Sequence, residues 1–279
     1  RDVERSRGLG DVYKRQAPKV EGAWPLAIAK TESKILKEGT GEKVDKNATL
    51  KVNYVGVNGR TGKEFDSSYK RGTTADFPLA QVVPGFAKGL VGKHQGDRVL
   101  IMMPGSDGYD SQGGAPQAGI MKGDSLIFVV DIVAIPLPKA TGETVKPAAG
   151  LPTVKEVQGA PAVTIGKATK PNKLVVQPLI KGKGAAVTAH DSIDVKYRTY
   201  AWSSGELIED GYSGEPVTGS MNSVIPGWKK GLIGQTVGSR VMLIVPPADA
   251  YPNGSTNPPV KKGETLIYVI DILSAQKES

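Results

Sequence analysis

Residues 82–109, VVPGFAKGLVGKHQGDRVLIMMPGSDGY, return as VIPGWKKGLIGQTVGSRVMLIVPPADAY at 224–251. In the first copy Pro84 suits an early helical position, where its missing N–H is not needed, and Phe86, Leu90 and Val91 then share one apolar face before Gly92 offers a stop. The apolar run 99–103 sits between Asp97-Arg98 and Pro104-Gly105. It is too short for a helix with a core of its own and reads as a strand. The second copy repeats these signals with Pro226, Trp228, Leu232, Ile233, Gly234, Gly238 and the run 241–245. Pro84 to Pro226 and Tyr109 to Tyr251 are both 142 positions, Tyr54 to Tyr197 is 143, and KGDSLIFVVDIV returns as KGETLIYVIDIL at 140. The chain is two copies of one domain.

A length of 279 residues lets each copy bury a core without staples, and 35 Gly with 20 Pro point to many turns and a β-rich architecture. With no cysteine, disulfides, thiol nucleophiles and Cys-based zinc sites are excluded from this sequence. The two histidines, His94 and His190, are isolated and read as exposed loop residues, so neither a metal site nor a Ser–His pair is expected, and no cofactor. Ser106-Asp107 lies in a turn without the flanking glycines of a nucleophile elbow. The net charge of +8 is spread among interleaved acidic residues with no recognition motif, which favours a solvated basic surface over a nucleic-acid partner. No apolar run approaches the roughly 18 residues of a membrane span.

Taken in order, residues 1–16 have no period and look like translated adaptor sequence, a non-native extension. Residues 17–137 form the first domain, 138–159 a Pro/Ala-rich linker that is extended and semi-rigid, and 160–279 the second domain, with an extra edge strand at 163–165. Within the first, Gly39-Thr40-Gly41 reads as a turn and not a phosphate loop, and 48–57 alternates as a strand. A tight reversal at 58–62 is followed by a polar loop up to Phe77. The Gly-rich stretch 110–124 has the length of a functional loop, and 125–135 is the last strand.

The ordered motifs KVNYVG, KEFDSS, VVPGF with GLVG, GDRV, then GY with its long loop, and SLIFVVDI resemble the FKBP-type peptidyl-prolyl cis-trans isomerases, over 34–135 and again over 173–273. The resemblance implies an α+β fold: two domains, each a curved antiparallel sheet wrapped around one short helix. It implies a prolyl isomerase that assists protein folding, acts on proline-containing unfolded or extended polypeptides and takes macrolide ligands. The alternative is a non-catalytic peptide-binding chaperone or scaffold module. Carried over residue by residue, Tyr54, Phe65, Asp66, Tyr109 and Phe128 become catalytic positions. Val82, Val83, Phe86 and Ile120 become substrate-binding positions, with Phe86 as a floor where most relatives have Trp. The second pocket would hold Tyr197, Ile208, Glu209, Val224, Ile225, Trp228, Tyr251 and Tyr268. Its Ile208-Glu209 replaces Phe65-Asp66, so activity is expected mainly in the first domain. Read singly, Phe65, Phe86 and Phe128 would be core aromatics and Asp66 a turn residue. The long loop and the linker are similar to those of exported bacterial members, implying the cell envelope or secretion, with the cytoplasm as the alternative.

These residue types suit the reaction. Resonance gives the X–Pro bond a rotation barrier of about 18–20 kcal/mol, and nothing has to be attacked or deprotonated to cross it. An apolar pocket that strips water from the imide disfavours its planar, dipolar ground state relative to the twisted one. A gain on the order of 10⁶ requires about 8 kcal/mol of such differential stabilisation.

Overall fold

The computed structural model describes residues 15–277, so the expectation for 1–14 lies outside the described residues. The chain divides into two units, the first running to Pro136 and the second spanning Leu137–Ala275.

In the first unit β1 (Glu32–Lys37), β2 (Thr49–Asn58), β3 (Glu64–Ser67), α1 (Ser68–Arg71), β4 (Ala75–Pro78), α2 (Pro84–Leu90), β5 (Arg98–Met103), β6 (Gly114–Ala115), β7 (Ile120–Met121) and β8 (Leu126–Ala134) follow one another. The main sheet is antiparallel in the order β1-β5-β8-β2-β3, and β4 pairs with the part of β2 that β3 leaves free. Every residue of β8 is buried, as expected of a near-continuous apolar strand covered on both faces. One face carries Val52, Ile101, Met103 and Val130 against Phe86 and Leu90 of α2. The other carries Val55, Val57 and Ile127 under Val20, Trp24 and Tyr69.

The second unit contains β9 (Gly142–Thr144), β10 (Thr153–Val157), β11 (Ala160–Thr164), β12 (Val175–Gly182), β13 (Asp191–Ala201), β14 (Leu207–Asp210), β15 (Val217–Ser220), α3 (Pro226–Leu232), β16 (Arg240–Val245) and β17 (Leu266–Lys277). Its sheet runs β14-β13-β17-β16-β12-β9, with β15 beside β13. No helix among the described residues is long and apolar enough to cross a membrane.

Several expectations need correction. The stretch 138–159 is not a free linker: β9 extends the second sheet beside β12, and β10 forms a hairpin with β11. Leu151 and Val154, with Val163 and Ile165, pack on Met242, Ile244 and Ile267. The sheet's second face is apolar and needs this cover, while strands this short carry too little period to be seen in sequence. The edge strand expected at 163–165 belongs to that hairpin. In the segment set aside as non-native, Arg15 is buried and donates to Asp131 and to the Gly96 carbonyl. The polar loop before Phe77 contains α1 and β4. Val91 and its counterpart Ile233 fall just past their helices and stay exposed, because Gly92 and Gly234 turn the chain at φ +85° and +87°. His94 is half-buried and pairs by backbone with Lys43, while His190 is exposed.

Each sheet also carries a buried ion pair. Asp131, fully buried, accepts from Arg98 at 2.7 and 2.9 Å and from Tyr69; Asp271 accepts from Arg240 at 2.7 and 3.0 Å. The net stabilisation from such pairs is small, since each charge was fully solvated in the unfolded chain.

What sets the height of each helix over its sheet is glycine. A Cβ on Gly85 or Gly89 would lie 2.5 Å from Met103 Sδ or 2.8 Å from Ile101 Cδ1, and one on Gly227 or Gly231 within 2.4 or 2.5 Å of Val245 or Leu243. Gly89→Val should therefore destabilise the first unit by about 1–3 kcal/mol, read as a lower urea midpoint. An unchanged midpoint would mean the helix has room to move away.

Candidate active site

The pocket of the first unit begins at β2. Tyr54 and Gly56 point to the same face, two residues apart. Gly56 is empty for a reason: a Cβ there would lie 2.7 Å from Phe65 Cζ and 2.8 Å from Phe128 Cε1. That vacancy lets Phe65, on β3, meet Phe128, on β8, edge to face at 5.6 Å between centroids. α2 supplies Phe86, which sits 4.5 Å from Phe128, and β4 supplies Phe77, 4.8 Å from Phe86 and 5.1 Å from Tyr54. All four phenylalanines of the chain are in this one cluster. Val82, Val83 and Tyr109 are half-buried against it, and Ile120, on β7, is buried in it. The structure thus brings together all nine positions that the resemblance selects in this domain. The Gly-rich loop that follows Tyr109 and holds Ile120 is not featureless, since β6 and β7 pair within it.

Asp66 closes one side of the cluster. The Tyr54 hydroxyl and the Arg71 guanidinium both donate to its carboxylate, and Arg71 Nη2 also reaches the Tyr54 oxygen at 3.2 Å. Burial works to raise the Asp66 carboxyl, but the bonds from Tyr54 and Arg71 and the guanidinium charge outweigh it and leave the group below the usual carboxylate range. Tyr54 is pushed up to about 12, first by burial and then by its bond to Asp66. Burial, then the Asp66 charge, also raises Tyr109. At neutral pH the site therefore holds one carboxylate, already answered by a cation, and two neutral phenols.

Sequence reading missed Phe77 and Arg71. Both fall in the stretch read as a polar loop, where a four-residue helix and a four-residue strand leave no detectable period. The Ser67 side chain caps that helix from the Lys70 N–H, and Gly72 ends it at φ +71°, which positions Arg71 back over β3.

In the second unit Tyr197, Glu209, Val224, Ile225, Trp228, Tyr251 and Tyr268 line one cavity of about 250 Å³. Ile208 packs on the adjoining core and not in the cavity lining. Trp228 stands edge-on to Tyr197 at 4.9 Å and to Tyr268 at 5.5 Å. This pocket keeps the tyrosine–carboxylate bond of the first and differs from it beside the carboxylate and in one wall. Thr199 stands at the position of Gly56, and its hydroxyl donates to Glu209 Oε1 at 3.0 Å. Tyr197 donates to Oε2 at 2.8 Å. The register that sets Phe77 opposite Leu50 sets Gly219 opposite Ile193, so an aromatic wall is replaced by a hydrogen atom.

No group of three or more potential metal ligands exists among the described residues. A sheet of this topology over one short helix sets an aromatic cluster and the Asp66 carboxylate between them. A family model described as "FKBP-type peptidyl-prolyl cis-trans isomerase" matches residues 40–133 and 183–273, and the chain belongs to that family. Curated relatives agree. The chain is 40% identical over 100 residues to an FK506-binding protein of Streptomyces anulatus, covering 35% of this chain and 80% of that one. It is 32% identical over 151 residues to the FKBP-type peptidyl-prolyl cis-trans isomerase FkpA of Aeromonas hydrophila and over 146 residues to FkpA of Escherichia coli. The first match covers 52% of this chain and 53% of that protein, the second 50% of each, so the chain spans about half the length of these FkpA relatives.

Phe77→Ala should lower stability by about 3–5 kcal/mol, because the ring is buried between two others and its loss leaves a cavity. Equilibrium urea unfolding checks this. A loss within about 0.5 kcal/mol, typical of a surface site, would place Phe77 outside the core.

Proposed function

We propose that the first domain, residues 17–137, carries the prolyl isomerase activity of this chain. Its sheet curls around α2 to form the cleft, and its substrate is a proline-containing segment of an extended or unfolded polypeptide. The proline ring enters over Phe86, between Tyr54, Phe65 and Phe128. Val82 and Val83 border the entry, and the Tyr109 hydroxyl is offered to a substrate carbonyl. Tyr54 is held by Asp66, which is itself held by Arg71, so neither group has to reorganise as the imide twists.

The catalysis rests on the environment and involves no bond making. The four phenylalanines exclude water, which otherwise stabilises the planar imide dipole. A carboxylate already neutralised by Arg71 does not compete for the substrate as a bare charge would. The observation that carries this reading is the Tyr54–Asp66–Arg71 cluster set beside the phenylalanine rings. A macrolide of the kind named in the FK506-binding relatives would compete for the same cleft. The place of action is the cell envelope or beyond it, on the likeness of the Gly-rich loop to exported members.

The second domain is read differently, as a site that holds polypeptide without turning it over. Ile208 and Gly219 in place of Phe65 and Phe77 favour this by opening the apolar enclosure, and so do the bonded partners of Glu209 among the described residues, which are hydroxyls where Asp66 has Arg71.

Relaxation of an X–Pro peptide after a solvent jump tests the assignment on the whole chain. Asp66→Ala and Phe65→Ala should each lower kcat/KM about ten- to a hundredfold. Full activity in both variants would remove the first pocket from catalysis. The pH profile gives an independent check. The depressed Asp66 carboxyl keeps its contribution as pH falls through the ordinary carboxylate range and loses it only below that, while Tyr54 stays protonated to about 12. Activity should be flat from about pH 5 to about pH 9, and an inflection near neutrality would contradict the roles of Asp66 and Tyr54.

A further inference from the structure

We propose that the second pocket is a holding site for a lysine side chain of an extended polypeptide, its ammonium seated on Glu209 and its alkyl stem lying against Trp228 and Tyr268. This rests on the reading of the second domain as a holding site and specifies what it holds.

The two pockets differ in how their carboxylate is answered. In the first, Arg71 brings a guanidinium onto Asp66 from within the domain. In the second, the bonded partners of Glu209 among the described residues are Tyr197 and Thr199, both neutral hydroxyls. The negative charge therefore faces the cavity uncompensated, and three aromatic side chains, Tyr197, Trp228 and Tyr268, stand around it in mutual ring contact. An anion beside aromatic faces attracts an organic cation by charge and by the ring quadrupoles together.

A proline ring would cover that carboxylate and bring it no cation, leaving its charge answered by the Tyr197 and Thr199 hydroxyls. A lysine supplies the cation. Each Glu209 oxygen already accepts one hydroxyl, so a compact ammonium giving one or two donors suits the remaining lone pairs better than the rigid, two-point fork of arginine. The cavity of about 250 Å³ admits a single side chain, and Gly219 leaves open the wall that Phe77 occupies in the first domain, giving the stem a way in. The chain as a whole carries +8, so the attraction is local and short-ranged, within a Debye length of Glu209.

The probes are three blocked tripeptides, Ac-Ala-Lys-Ala-NH₂ and its norleucine and proline counterparts, titrated into the full chain labelled at its three tryptophans. The Trp228 indole N–H resonance is the readout. The lysine peptide should shift it with roughly tenfold higher affinity than either counterpart. The preference should vanish in Glu209→Gln and weaken with added salt. Equal affinity of lysine and norleucine in the unmodified chain overturns the proposal without recourse to any variant, and so does a lysine preference that survives Glu209→Gln. A proline peptide binding at Trp228 as tightly as the lysine peptide also overturns it. X–Pro relaxation is recorded on the same unmodified preparation. Acceleration there without lysine preference removes only this inference, whereas lysine preference without acceleration removes the catalytic reading of the first pocket and leaves this one standing.

Discussion

The first pocket depends on how closely a seven-residue helix can lie on the sheet. Gly85 and Gly89 face β5 with no room for a methyl group, so α2 sits low enough for Phe86 to touch Phe128. Raise the helix and the floor of the cleft separates from its back wall. The same device recurs at Gly227 and Gly231, where Trp228 takes the place of Phe86. A helix this short has little stability of its own, so it owes its existence to that packing. Near its far end Lys88 reaches Asp107 and Lys230 reaches Asp249, both at 2.8 Å, on the stretches that lead to Tyr109 and Tyr251.

Given one scaffold, the two pockets diverge through a small set of linked exchanges. Gly56 makes room for Phe65; Thr199 at the same place fills that room and holds Glu209 instead. Once the ring at Phe65 has become Ile208, the aromatic enclosure is open on that side. Gly219 opens it on another. What remains is Tyr197, Trp228 and Tyr268 around a carboxylate, a set that is polar where the first is apolar. The tyrosines record this: burial and then the bond to Glu209 raise Tyr197 well above the ordinary phenol range, and burial, then Tyr251 and Glu209, do the same to Tyr268.

Much of this was legible in the sequence because it is periodic or repeated. The helix, the strand after it and the last strand of each domain appear twice at a near-constant offset, and residues such as Tyr54, Phe86 and Tyr109 are marked by flanking glycine and proline. Arg71 and Phe77 were not legible, since they lie in elements of four residues whose form comes from a cap and from pairing with β2. The cover of the second sheet was misread for a related reason. Strand β10, TVKEV, lies in a Pro/Ala-rich stretch that has the composition of a linker, and only the apolar face of Met242, Ile244 and Ile267 beneath it requires it to pack. Short elements that exist to satisfy a partner leave their signal in the partner.

Because all four phenylalanines belong to the first pocket, labelling that residue type alone makes a reporter for one domain in the intact chain. Exchange spectroscopy on an X–Pro peptide with phenylalanine-labelled protein reads catalysis and site together. The account predicts cis–trans exchange cross-peaks that grow with protein concentration, together with shifts of the Phe65, Phe86 and Phe128 ring signals that saturate as the peptide is added. Catalysed exchange with all four phenylalanine signals unmoved would contradict it.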